Sequence, residues 1–284
     1  MKTSHPMVTV YVPDRAIRQG FVRMLRDIIH EFYQNRWLMA QLFKREVLTI
    51  YKQSFMGVLW IFVLPVMSVG TFSLLRRSGI VPKGPANVPY PVYAMLGVMF
   101  WQIFAAGLVA GTNSLVKAGS MIIKINFSKK ALVVAATTQA LVAFLIQIVV
   151  FGSMCAWYHV TLHPAVVFLP LLLLPLFLLT LGLGFVLSIL NGIMRDIGQA
   201  LSLLLTFLML LTPVLYEVSG SGALASFNRF NILYYLISTP REVVLWGTMS
   251  EWKGFLAASI VAGALGIVSL ILFHITETRV AERI

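Results

Sequence analysis

Few side chains in this sequence are placed to do chemistry, and their spacing excludes more than it offers. His30-Glu31 lacks the second histidine of an HExxH zinc helix, so it reads as a surface pair on a helix. Ser114 precedes Lys117 at the spacing of a Ser-Lys nucleophile pair, but no companion signature of that enzyme class follows. The lysine instead marks a helix end, with its ammonium reaching the membrane interface. Asn113, Gln102, Gln139, Gln147 and Gln199 lie in apolar surroundings, where side-chain amides join neighbouring helices rather than bind ions. Carboxylates and basic groups are missing from those same stretches. That absence argues against an ion-coupling site of a secondary carrier and against the acid–base pair of an intramembrane transferase. No GxxxxGK[ST] loop is present, so any ATP-driven work falls to another polypeptide. Cys155, the one cysteine, lies in an apolar run and reads as a small buried hydrophobe, with no disulfide frame or metal cluster around it.

The elements that carry these groups read as membrane spans. The chain has 284 residues, 59% of them hydrophobic and 11% charged, with a mean hydropathy of +0.87. No water-soluble core of this size hides that much apolar surface. A helix needs about 20 apolar residues to cross a bilayer. Six stretches meet this length, at residues 55–75, 91–116, 131–157, 165–190, 197–216 and 254–274, and none holds an Asp, Glu, Lys or Arg. The net charge of +12 then marks cytoplasmic loops and anionic lipid rather than nucleic acid. Sixteen of the 22 Lys and Arg residues lie in the N-terminal arm, in the segments after the second and fourth stretches, and in the tail. By the positive-inside rule both termini are expected in the cytoplasm, and no signal-peptide pattern opens the chain.

Residues 218–253 contain no charge-free run long enough to cross, and Pro240 is expected to end the longest one. They are read as a re-entrant pair of helices spanning 223–247, on the outer side between spans five and six. At the other end, residues 1–13 form a tail, followed by an amphipathic interfacial region over 14–52. There Ile17, Phe21, Leu25, Ile28 and Phe32 recur at three- and four-residue steps, and Leu38, Leu42 or Phe43, and Val47 continue the pattern past a break near Asn35. A small cytosolic subdomain is the alternative, but no companion core sequence accompanies it. Residues 53–284 make up the membrane domain. Gly107 and Gly111 permit close helix packing in the second span, and Gly182, Gly184, Pro170 and Pro175 indicate a bent or closely packed fourth. The expected fold is an all-α integral membrane protein with six transmembrane helices, an N-terminal amphipathic helix and re-entrant outer helices.

The stretch "REVLTIYKQSFMGVLWIFVLP" carries Tyr51, Lys52, Ser54, Gly57, Leu59, Trp60 and Pro65 in a distinctive order. "YPVYAMLGVMFWQIF" adds Tyr90, Pro91, Gly97 and Trp101; "NSLVKAGSMIIKINFSKKAL", "LNGIMRDIGQAL", "TPVLYEVS" and "NILYYLISTPREVVLWG" follow. Together they resemble the type 2 ABC exporter permeases, above all the membrane subunit of O-antigen, teichoic acid and related polysaccharide exporters. Met56, Ser128 and Ile232 depart from that pattern, which leaves loop geometry open. The resemblance implies a homodimer on the bacterial inner membrane with two ATPase subunits, which would hold the ATP and Mg; this chain binds no cofactor itself. It implies a lipid-linked glycan as substrate, and export of teichoic acid, capsule, or a small hydrophobic drug or lipid as alternatives. A membrane-bound glycosyl- or acyltransferase and a non-transporting scaffold are the readings from other classes. Lys124, Lys129, Arg195 and Asp196 would meet the ATPase subunit. Lys44, Arg45, Tyr51, Lys52, Ser54 and Gly57 would form a cytoplasmic gate, although Lys44, Arg45 and Lys52 serve equally as anchors to anionic lipid. Trp60, Phe62, Trp101, Phe104, Phe207, Tyr216, Tyr234 and Tyr235, among the aromatics near that path, would offer ring faces to sugars.

Overall fold

The computed structural model describes residues 21–52, 87–119, 128–217 and 222–280, together with residues 59, 60, 63, 66, 67, 69–71, 73, 74, 78 and 79. Among the described residues every regular element is a helix. The arm forms α1 (Phe21–Gln34) and α2 (Arg36–Lys52). The bundle follows with α3 (Tyr90–Lys117), α4 (Lys129–Trp157), α5 (Leu169–Ile193, entered through a 3-10 turn at Pro164–Phe168) and α6 (Asp196–Leu211). Two shorter helices, α7 (Ala223–Phe230) and α8 (Ile232–Trp246), precede α9 (Trp252–Val280).

Four of these are long and apolar enough to cross a membrane: α3, α4, α5 with its lead-in, and α9. The sequence-based count of six is therefore not reached by the described helices. The first stretch lies largely outside the described residues, and the fifth is the 16-residue α6, which at about 1.5 Å per residue covers only ~24 Å. That helix stops at Leu211 instead of reaching Tyr216. Thr212 takes an extended conformation (φ −88°, ψ 134°), the preference that a following proline imposes, and Pro213 has no N–H to continue the ladder. In contrast, Pro240 does not end α8, as the sequence reading expected. Its neighbours Leu236, Ile237, Val243 and Val244 are buried, and packing on that face outweighs the one backbone bond a proline removes. The helix stops instead at Gly247, whose φ of +70° is the left-handed cap that glycine takes without strain.

At the centre of the bundle, α3 is buried along most of its length against α4 and α5, and α5 packs in turn on α9. Small residues permit this closeness. A methyl placed on Gly107 would sit 3.0 Å from the Thr180 Cγ2 of α5, and one on Gly111 would sit 2.6 Å from the Thr137 Oγ1 of α4. Where α5 meets α9, a methyl on Gly182 would lie 2.8 Å from the Gly266 Cα. The arm folds against the same bundle. Asn35 separates its two helices, yet the Asn35 N–H donates to the Glu31 carbonyl and the Met39 N–H to the Asn35 carbonyl, both at 2.9 Å, so the helical path continues into α2. Leu42 joins Leu132 and Ala135 of α4 in a second apolar cluster. Ile28 is buried as its periodicity predicts, whereas Ile29, Tyr33 and Trp37 form a second, exposed stripe.

Because the α5–α9 contact has no room for a side chain, Gly182→Leu should lower the melting temperature of the detergent-purified protein, at a cost of about 1–3 kcal/mol for overpacking. Gly152→Ala, at a position with nothing within 4 Å, should leave it unchanged or raised. Equal melting of the two variants would remove the glycine contact as a determinant of stability.

Candidate functional site

Polar side chains in an apolar bundle must find partners inside it, and here they gather at the two ends of the helices. The arm end holds α1, α2, the C-termini of α3, α5 and α9 and the N-termini of α4 and α6. The distal end holds α7 and α8.

At the arm end, Asn191 closes α5 as a buried residue. Its Nδ2 donates to the Thr112 carbonyl at 3.2 Å and to the Asn113 Oδ1 at 3.1 Å, while its Oδ1 accepts the Gly198 N–H at 2.9 Å. One amide thus joins α3, α5 and α6, and satisfies a first-turn N–H that α6 cannot pair itself. Gly198 is required for the approach, since a methyl there would meet the Asn113 Oδ1 at 2.8 Å. Arg195 and Asp196 lie exposed on the turn beside this junction. Asp196, in the first turn of α6, faces the positive end of the helix dipole.

A second arm-end cluster centres on Lys130, which is fully buried. Its ammonium lies 2.7 Å from the Glu31 Oε2 of α1 and 2.6 Å from the Glu277 Oε1 of α9. Ser128 donates to the other Glu31 oxygen at 2.6 Å, and Lys129 donates to the Glu277 carbonyl at 2.9 Å. Glu31 is therefore no surface pair with His30, as the sequence reading had it, but half of the joint that docks the arm. Glu31, His274 and Glu277 bring three possible metal-ligand atoms within 4.8 Å of one another. The Lys130 ammonium between the two carboxylates already supplies the cation there.

At the distal end, Arg241 of α8 is 3% exposed. Its Nη1 donates to the Val214 carbonyl at 2.8 Å and its Nη2 to the Pro213 carbonyl at 3.1 Å. The guanidinium lies 3.9 Å from the centre of the Tyr93 ring of α3. Asn231 donates to the Thr212 hydroxyl at 3.0 Å, and the Tyr216 hydroxyl donates to the Leu210 and Leu211 carbonyls at 2.9 and 3.2 Å. The tail of α6 is thereby fastened to α8 and α3. Between the ends, Gln147 donates to Gln102 at 2.6 Å, joining α4 to α3 as the amide pattern predicts.

The sequence-derived site residues separate into several places. Trp101 and Phe104 are buried in the core with ring centres 5.6 Å apart. Trp60 and Phe207 are exposed, and Tyr216, Tyr234 and Tyr235 are partly exposed towards the distal end, the last two in edge contact at 5.0 Å. Lys44 and Arg45 are exposed on α2, where Arg45 pairs with Glu46 at 2.8 Å. Tyr51 and Lys52 end that helix, while Ser54, Gly57, Phe62 and Lys124 lie outside the described residues. A groove of about 540 Å³ opens among α3, α4 and α5, lined by residues such as Phe100, Phe144, Ile148 and Leu173, and none of these candidates lines it. Asn191, Lys130 and Arg241 escaped the sequence reading as site residues, although each is a polar residue bordering or interrupting an apolar run.

The apolar helices and the polar joints at their ends define a multi-pass helical membrane protein. Residues 38–245 match the ABC-2 type transporter family, and the chain belongs to it, as the membrane subunit of a type 2 ABC transporter. It is similar to the O-antigen export system permease protein RfbA of Myxococcus xanthus, 28% identical over 200 residues that cover 68% of this chain and 73% of that protein.

Lys130→Met should leave Glu31 and Glu277 facing each other without their cation, at a cost of about 3 kcal/mol for breaking a buried ion pair. The arm should then detach. A cysteine in place of Ile28, which is 1% exposed, should resist maleimide in the parent protein and react in the Lys130→Met background. Equal protection in both would show that the arm is held by other contacts.

Proposed function

We propose that two copies of this chain form the membrane path of an ATP-driven exporter of lipid-linked polysaccharide across the bacterial inner membrane. The observation that carries this reading is the similarity to an O-antigen export permease over 200 residues. The physical features of α6 support it. This helix buries Leu201 and Leu205 and exposes Ser202, Leu203, Thr206, Phe207 and Leu210. The hydroxyls of Ser202 and Thr206 donate back to the Gly198 and Ser202 carbonyls at 3.2 and 3.0 Å. Their lone pairs remain available to accept hydrogen bonds from sugar hydroxyls. Phe207 adds a ring face for stacking. Tyr216, whose hydroxyl reaches the Leu210 and Leu211 carbonyls, would extend this surface together with Trp60, Tyr234 and Tyr235, whereas Trp101 and Phe104 are buried in the core.

Each half would bind one ATPase subunit, with ATP and Mg held there, through the exposed Arg195–Asp196 turn and the segment containing Lys124 and Lys129. Lys44, Arg45 and Lys52, with Tyr51, Ser54 and Gly57, would receive the anionic headgroup of the lipid carrier by Coulomb attraction at a low-dielectric boundary. Both termini would then lie in the cytoplasm.

Deleting the chain in its native host should trap lipid-linked glycan in the cytoplasm and strip polysaccharide from the surface; an unchanged surface polymer would overturn the assignment of cargo. Trp60→Ala and Tyr216→Ala should impair export while the protein still assembles in the membrane. Reversing both charges at Arg195 and Asp196 should abolish co-purification with the ATPase subunit or stimulation of its activity, and intact coupling would move that contact elsewhere.

A further inference from the structure

Among the described residues, the directional contacts of α6 with the rest of the protein are concentrated at its two ends. Its middle offers Leu201 and Leu205 to neighbouring helices, and such apolar contact is non-directional and yields to sliding or rotation. The ends are different. The Gly198 N–H is bound by Asn191 at 2.9 Å, and the carbonyls of Pro213 and Val214 are bound by Arg241 at 3.1 and 2.8 Å. The Asn191 and Arg241 side chains are buried, so these bonds are shielded from exchange with bulk water and each fixes position and angle.

We propose that Asn191 and Arg241 are positioning residues that act as two independent mounts for α6. The arm-end mount sets where the helix stands beside α3 and α5. The distal mount sets where its tail stands against α8 and the Tyr93 ring. The geometry favours independence, because a helix held at both ends whose middle is weakly packed among the described residues can swing about either end when the other is released. Gly198 allows the first mount to close, as any side chain there would strike the Asn113 Oδ1. Pro213 and the extended Thr212 create the second, by leaving carbonyls that no helical N–H can reach. The functional consequence rests on the reading of α6 as a path-lining helix; the mounting itself does not.

The test uses the full chain in lipid nanodiscs with Cys155 replaced by Ala, and spin-label distances from a reference at Val149 of α4 to Ser202 or to Leu210. Both distance distributions should be narrow in the parent. Asn191→Ala should broaden the Ser202 distance and spare that of Leu210, and Arg241→Met should do the reverse. Arg241→Lys should restore the narrow distal distance in part. If Arg241→Met fails to assemble, Asn231→Ala, which removes the bond to Thr212, carries the distal arm of the test. Broadening of both distances by either single variant, or of neither, would overturn the two-mount proposal. Surface polysaccharide measured in the same variants separates the two readings. Selective broadening with normal export keeps the mounts and removes α6 from the path, whereas lost export without selective broadening does the opposite.

Discussion

Glycine lets the helix backbones of this bundle touch, and that closeness fixes everything else. Lipid tails are as apolar as leucine, so helices in a bilayer gain little from hydrophobicity alone and must pack tightly to associate. Gly107 and Gly111 of α3 meet Thr180 and Gly184 of α5, while Gly182 meets Gly266 of α9. These contacts also set register. Asn191 lies about two turns beyond Gly184, and Glu277 about three turns beyond Gly266, so each shares the face of its glycine. The seam that brings α5 onto α3 therefore delivers Asn191 to Asn113, and the seam that brings α9 onto α5 delivers Phe273 to Phe185 at 5.0 Å. Glu277 then reaches Lys130 from the same helix.

Once backbones are this close, the remaining cost is polar. Bilayer interiors provide no water for stray N–H and C=O groups, so helix ends need donors and acceptors from other helices. Among the described residues Arg241 has no carboxylate within ion-pair distance, and its partners are two backbone carbonyls, the Ser238 hydroxyl and a tyrosine ring. This is the chemistry of a cap rather than of an ion pair. The broken end of α6 leaves carbonyls exposed to an apolar environment, and a planar guanidinium can bind two of them at once. Lys130 shows the other solution, in which one cation joins two carboxylates from α1 and α9 and so connects the arm to the bundle.

Much of this architecture was legible in the sequence because it follows from local pattern. Hydropathy located the long helices, the Gly107–Gly111 spacing announced close packing, and amides in apolar runs foretold the Gln102–Gln147 bond. Local rules failed where two effects competed. The length of the charge-free apolar run carries the fifth stretch past Pro213, although Thr-Pro states the stop in two residues. Conversely, Pro240 reads as a breaker until the burial of the residues around it is known. The joints themselves were illegible for a different reason. Lys130 beside an apolar stretch looks like any lysine reaching an interface, and its partners Glu31 and Glu277 lie on helices far away in the chain. Arg241 reads as a loop cation because nothing nearby in the sequence reveals that its partners are carbonyls.

The same physics bears on where a sugar polymer could travel. A glycan keeps many hydroxyls hydrated or hydrogen-bonded, so its path needs water and acceptors, and a wall that does not hold it in one register. The glycine-packed core offers no such space, since α3 is buried there through Trp101 and Phe104. The groove among α3, α4 and α5 is lined by hydrocarbon and aromatic carbon, which suits a lipid tail and rejects a sugar. What remains on the side of α6 is a face that mixes Ser202 and Thr206 with Phe207. Among the described residues nothing covers that face. Facing a second copy across a wet gap would give it both the enclosure and the water that a moving polysaccharide requires, while the mounts at Asn191 and Arg241 would keep the two faces at a fixed separation.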